Sequence, residues 1–152
     1  SITVTESGAG KFKLETVDHI GIVVRNCEKV IETWERMFGI GPWTFVTNTG
    51  TDAEGNPIEA KLAFAYMGDL ELELIEVVKG KTIHREFLEE HGEGLHHLGF
   101  FVDDVDATAA NLTEQGVEIM LQRPGQWVYL DTRSPGGVIF EPQRRRGKIT
   151  GR

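Results

Sequence analysis

Residues 96–117 of this chain, HHLGFFVDDVDATAANLTEQGV, replay an earlier stretch in the same order: strand, turn, helix, glycine. His97-Leu98-Gly99 matches His19-Ile20-Gly21, and at the same offset of 78 residues Val102 falls on Val24 and Leu112 on Trp34. The closing segments match at an offset shorter by ten, with Gly136 on Gly68 and Glu141 on Glu73. A longer hairpin loop in the first copy accounts for the difference. A chain that repeats itself this way is built from two copies of one supersecondary unit, neither of which can bury its apolar face alone.

The unit reads as β-α-β-β-β. Residues 17–24, VDHIGIVV, are apolar on both faces and predict a strand buried on both sides. Asn26 is a suitable N-cap for EKVIETWERMF, in which Val30, Ile31, Trp34, Met37 and Phe38 recur at helical spacing. Gly39 ends that helix and Gly41-Pro42 prevents its resumption. A second strand begins at Trp43 to Val46, and NTGTDAEGNP, residues 48–57, reads as a long polar hairpin loop. IEAKLAFAYMG and LELELIEVV alternate with period two and are joined at Gly68-Asp69. TIHREFLEEH, residues 82–91, predicts a short helix, and Gly92 and Gly94 break the chain after it. VEIMLQRPGQWVYLDTRSPGGVIFEP supplies three more strands with turns at Pro124-Gly125 and at residues 134–137. The expected fold class is therefore α+β, two tandem βαβββ modules forming a curved, half-barrel mixed sheet. A single domain is expected over 14–143, with module one at 14–79, a linker helix at 80–94 and module two at 95–143. Residues 1–13 and 144–152 are expected to be flexible termini.

At 152 residues such a domain can bury a core without staples. No apolar run approaches the roughly 18 residues needed to span a membrane. The net charge of −8 argues against nonspecific nucleic-acid binding and points to small-molecule partners. A lone cysteine, Cys27, precludes an internal disulfide and fits the reducing cytoplasm; its place near a helix start suits a small buried apolar residue.

Two copies of this unit bury their sheets only by forming one curved, shared surface, whose concavity the first and last strands of each half line. Side-chain parity decides what faces it. Ile20, Ile22 and Val24 share one face and His19, Gly21 and Val23 the other; Leu98, Phe100 and Val102 oppose His97, Gly99 and Phe101 in the same way. The apolar sets seat the helices, so His19 and His97 point into the concavity. By the same rule Leu70, Leu72 and Leu74 turn to the helices and Glu71, Glu73 and Ile75 face in, while Val138 and Phe140 leave Glu141 facing in. Several buried carboxylates together repel one another and become protonated; a divalent cation removes that cost. Imidazole plus carboxylate suits one Zn, Ni, Co, Mn or Fe(II) ion with positions left for water or substrate. Glu71 reads as a solvent-facing neighbour at the strand end, Trp43 as an anchor able to wall the pocket, and Lys61, Arg85 and Arg123 as groups able to meet an anionic substrate.

At these residues, from about 16 to 143, the chain resembles the vicinal oxygen chelate superfamily, which includes glyoxalase I, methylmalonyl-CoA epimerase, extradiol dioxygenases and antibiotic-resistance binding proteins. FLEEHGEGLHHLGFFVDDVDA and YLDTRSPGGVIFE are most similar to the epimerase. The resemblance implies the glyoxalase-like fold and metal ligands at His19, Glu73, His97 and Glu141, and it selects His97 over His96, which parity turns to the helix side. It implies a second carboxylate, Glu59, opposing Glu141 as the catalytic pair, and a homodimer acting on a coenzyme A thioester. The expected activity is a metal-dependent isomerase removing a proton alpha to a carbonyl, an epimerase of a methylmalonyl-CoA-like thioester. Glutamate at 73, where the epimerases usually carry glutamine, keeps a glyoxalase I-like lyase in view. An Fe(II) extradiol-type dioxygenase and a drug-binding resistance protein are further alternatives. Asp131-Thr132-Arg133 stands where the epimerases carry a His-Pro-Lys run, which alters the expected coenzyme A contacts.

Overall fold

In a computed structural model, which describes residues 1–8, 10 and 12–151, the strands form one eight-stranded sheet. In chain order the elements are β1 (His19–Val23), α1 (Cys27–Phe38), β2 (Thr44–Thr51), β3 (Pro57–Met67), β4 (Leu70–Lys79), α2 (Ile83–His91), β5 (Gly94–Val102), α3 (Val105–Glu114), β6 (Glu118–Arg123), β7 (Trp127–Asp131) and β8 (Ile139–Arg144). Across the sheet they run β2-β3-β4-β1-β5-β8-β7-β6, a mixed sheet in which each half occupies one side and β1 and β5 meet antiparallel at the seam. Within each half the first strand pairs parallel with the last, β1 with β4 and β5 with β8. This is the duplicated α+β architecture that the repeat predicts.

Local chemistry sets the helices. Asn26, Thr82 and Asp104 each accept a hydrogen bond from the backbone N–H three residues on, satisfying donors that α1, α2 and α3 would otherwise leave bare. Gly39, in the left-handed region at φ 66°, closes α1. Cys27 and Ile31 of α1 pack with Val24, Ala63 and Leu74, and Val105 and Ala109 of α3 pack with Val128 and Leu130. At the repeat offset Cys27 corresponds to Val105 and Ile31 to Ala109, so the same seats are filled with different volumes. Trp43 packs with Trp34 in the first cluster and donates its indole N–H to the Ile40 carbonyl, so it anchors the helix rather than walling the pocket.

Three expectations need correction. The hairpin loop is shorter than residues 48–57: β2 continues to Thr51, pairing Asn48 with Ala60 and Thr51 with Pro57, and only 52–56 turn. Threonine-rich polar sequence is compatible with an edge strand, and Asp52 caps the turn by accepting from the Glu54 and Asn56 N–H groups. Glu71 is not solvent-facing but buried. The segment after β8 is not simply a loose tail: Arg146 makes a two-pronged ion pair with Glu71, and the Ile149 N–H donates to the Tyr66 hydroxyl. Residue 152 of that tail, and residues 9 and 11 of the leading arm, lie outside the described residues.

Candidate metal centre

The seam between the halves positions the histidines. Its register pairs His19 with Gly99 and Gly21 with His97, and the two pairings exchange under the repeat offset. Each imidazole lies over the glycine opposite it. A Cβ at Gly21 would fall on the His97 ring, and one at Gly99 on the His19 ring. The His-x-Gly of each copy is thus one device, an imidazole plus the space for its counterpart's imidazole.

The last strand of each half brings the carboxylates alongside. Glu73 sits beside Gly21 in the β1–β4 register and Glu141 beside Gly99 in the β5–β8 register. All four predicted ligands therefore converge. His19 Nε2 lies 2.8 Å from Glu141 Oε1 and 3.1 Å from His97 Nε2, and His97 Nε2 lies 3.4 Å from both Glu141 Oε1 and Glu73 Oε1. Two imidazole nitrogens and two carboxylates at such spacing form a donor set suited to a divalent ion, and small inward or outward adjustments reach bond lengths near 2.0–2.2 Å. His97 Nδ1 faces His96 Nδ1 at 2.9 Å, which leaves Nε2 to the centre. His19 Nδ1 is buried and has no hydrogen-bond partner among the described residues.

The electrostatics express crowding of like charge in a dry place. Burial disfavours protonated His19, yet its hydrogen bond to Glu141 and the charges of Glu141, Glu73 and Glu71 outweigh that and raise its pKa above the ordinary value. Burial raises the pKa of Glu73. Burial, only partly opposed by Glu141, lowers His97 to about 4. Glu71 would be raised by burial, but Arg146 and the Tyr66 hydroxyl, 2.6 Å away, hold it below the usual carboxylate range. That neutralised Glu71 is a neighbour of the centre and not one of its donors.

Around the centre opens a cavity of about 930 Å³, with Val46, Ile58, Leu62, Phe64 and Ile75 on one flank and Leu121, Trp127 and Tyr129 on the other. Helix α2 adds a wall that includes His84 and Arg85. Glu59 also lines the cavity, for a reason that alternation alone does not supply. A β-bulge between Glu59 and Ala60 shifts the register so that Glu59 pairs with Lys79 and shares the inward face with Glu73 and Ile75. It enters five residues along β3 from Phe64, the partner of Glu73, roughly 17 Å of strand. A second bulge corrects the placement of His96. In the β1–β5 register Gly21 pairs with His97 and Ile22 with Leu95, which leaves His96 unpaired and turned beside His97, against His84, Phe87 and Tyr129. Of the three candidate cations, Arg85 lines the cavity, with its Nε bound to the Gly80 carbonyl; Lys61 pairs with Glu28 at 2.6 Å, and Arg123 is exposed on β6. His84, Tyr129 and Arg146 carry no signal in the sequence: His84 has no histidine at the repeat offset, and Arg146 lies among arginines beyond the repeat.

Comparison with known proteins supplies the family. A model described as the glyoxalase/bleomycin resistance protein/dioxygenase superfamily matches residues 18–129. The chain belongs to that superfamily. A curated relative, the uncharacterized protein YqjC of Bacillus subtilis strain 168, is 26% identical over 134 residues, 84% of this chain and 91% of its own. Among solved structures, a variant of Streptomyces coelicolor methylmalonyl-CoA epimerase in complex with 2-nitronate-propionyl-CoA is 25% identical, with 91% of this chain and 99% of that one covered at a TM-score of 0.68. Methylmalonyl-CoA epimerase from Mycobacterium tuberculosis, at 22% identity, 86% and 87% coverage and a TM-score of 0.62, shares the fold. The glyoxalase superfamily includes metal-dependent enzymes such as methylmalonyl-CoA epimerase. Among the described residues no helix is long and apolar enough to cross a membrane.

Proposed function

We propose that this protein is a divalent-metal-dependent isomerase that removes a proton alpha to a carbonyl, with a methylmalonyl-CoA-like acyl thioester as substrate. The observation that carries the reading is the convergence of His19, His97, Glu73 and Glu141 on one point at the floor of a mainly apolar cavity. These four residues would hold one Zn, Ni, Co, Mn or Fe ion, which when bound supplies Lewis-acid stabilisation of the negative charge that develops on the carbonyl oxygen. The protein's own groups do the rest. Apolar walls exclude water and orient the acyl group, which strengthens electrostatic interactions at the centre. Glu141 takes the alpha proton from one side. Glu59, on the other half of the sheet, returns one from the opposite side, as inversion at a single carbon requires. The strand distance between Phe64 and Glu59 makes this pairing demanding, since both carboxylates must reach one carbon when substrate fills the cavity. Lys81 and Arg85, at the start of α2, supply positive charge at the cavity wall for an anionic carrier such as coenzyme A. A cytoplasmic homodimer completes the reading, and the reduced, buried Cys27 accords with that compartment.

Incubation of the metal-loaded protein with methylmalonyl-CoA in deuterium oxide tests this directly. Metal-dependent deuterium incorporation at the alpha carbon is expected, with loss in Glu141→Gln. Inversion at the alpha carbon that persists unchanged in Glu59→Gln would remove the two-base mechanism while leaving the isomerase. Glutamate at 73 favours one second reading, a glyoxalase I-like lyase on the same centre; conversion of a glutathione hemithioacetal with no exchange into thioesters would select it.

A further inference from the structure

Behind the four converging ligands lies a second group of nitrogens that the proposed reaction does not use. One ring nitrogen from each of His84, His96 and His97 lies within 4.8 Å of the other two. We infer that these three imidazoles form a second divalent-metal site, sharing the His97 ring with the first.

The arrangement is built by two separate parts of the fold. His84 comes from the first turn of α2, which Thr82 caps, and its ring lies 4.7 Å from that of His96, tilted by 53°. His96 is available only because the β-bulge turns it beside its neighbour, Nδ1 to Nδ1 at 2.9 Å. His97 uses Nε2 toward His19 and the carboxylates and Nδ1 toward His96, so its two nitrogens face the two sites. Orienting His97 for the first ion needs a single partner on Nδ1, which a backbone carbonyl could supply; a third imidazole adds nothing to that task. His96 and His97 are buried with His84 half-buried against them and Phe87 and Tyr129 around the group, and burying imidazoles costs more than burying aliphatic side chains unless the nitrogens have something to bind.

The donor set also states which ion. Three neutral nitrogens with no carboxylate favour Cu(II), Zn(II) or Ni(II) over Mg or Ca. The Tyr129 hydroxyl, 3.3 Å from His84 Nε2, offers a neutral oxygen beside the site. His84 and Tyr129 both line the cavity, which gives an ion a way in. With both sites filled, the His97 ring bridges the ions and its N–H proton leaves to solvent.

The site goes beyond the proposed isomerase and stands without it. Protein stripped with chelator is titrated with Zn(II), and bound metal is counted by mass spectrometry after dialysis. Two equivalents are expected in the wild type, one in His84→Phe and one in Glu141→Ala. A wild type that binds one equivalent, retained in His84→Phe and lost in Glu141→Ala, overturns the second site and leaves the first. One equivalent retained in Glu141→Ala and lost in His84→Phe overturns the first and leaves the second. No bound metal overturns both. Wild-type protein loaded with Cu(II) gives a readout that no variant's folding can disturb: two ions bridged by one imidazole couple magnetically and lose most of the isolated Cu(II) paramagnetic resonance, whereas a full-intensity isolated signal at two equivalents overturns the shared ring.

Discussion

The two halves of the sheet carry the same ligands in the same register and surround them differently. On the β8 side, Glu141 lies 2.8 Å from His19, and two residues before it stands Ile139, part of the core. On the β4 side, Glu73 lies 3.4 Å from His97, and the position matching Ile139 is Glu71, a buried acid that holds Arg146. The pairs His19–Gly99 and His97–Gly21 are by contrast equivalent. The duplication therefore fixes the donors, and the halves have diverged in what sits beside them: an apolar support in one, a charge that brings the C-terminal segment across the sheet in the other.

The largest effect should come from the element that the halves share. Gly21→Ala and Gly99→Ala each place a methyl on an imidazole, and each should weaken Co(II) binding by well over the roughly 100-fold seen for outer-shell changes, as followed by visible absorption. If only one of the two does so, the halves are not equivalent at the seam. A smaller contrast separates the carboxylates. Glu141→Gln should cost more affinity than Glu73→Gln, on the order of 100-fold against 10-fold in the same titration; equal losses would erase the distinction drawn from the distances.

Glu71→Ile copies the second half into the first. It leaves Arg146 half-buried without its partner and should destabilise the protein by about 1–2 kcal/mol in urea unfolding, with most of that recovered when Arg146→Leu is added. Full stability in the single variant would show that Arg146 simply swings into water. The smallest effect at neutral pH belongs to Cys27, whose counterpart is Val105. Cys27→Val should change stability by less than about 1.5 kcal/mol. Its influence appears in alkali: burial, with Glu76 and Glu28 nearby, pushes the Cys27 thiol up to about 12, so the folded state keeps a proton that the unfolded chain sheds above pH 9. Stability then falls as pH rises from 9 toward 12, by up to about 1.4 kcal/mol per unit, and the valine variant should be less sensitive over that window by this amount.

Period-two alternation and the internal repeat made the architecture and the four donors legible, because His19, Glu73, His97 and Glu141 occupy regular, repeat-equivalent positions. Legibility stops where one residue is inserted into a ladder. Alternation turns His96 away from the cavity and is silent on Glu59; a bulge beside His96 reverses the first answer and one beside Glu59 supplies the second, and a bulge has no signature in hydrophobic pattern. Glu71 and Arg146 escaped for another reason. Their pairing joins positions far apart in the chain, one of them outside the repeat, and only the folded sheet brings them together.

The seam between β1 and β5 has a consequence for how the molecule would respond to an ion in the proposed metal centre. Two donors belong to each half, so an ion gripped by all four acts as a clasp across the midline, and whatever concentration fills it tightens the whole protein; at 100 times the dissociation constant the gain is about 2.7 kcal/mol. A cut in the connection between the halves would then leave two pieces whose reassembly depends on dissolved metal, with the ion serving as the link that the backbone no longer provides.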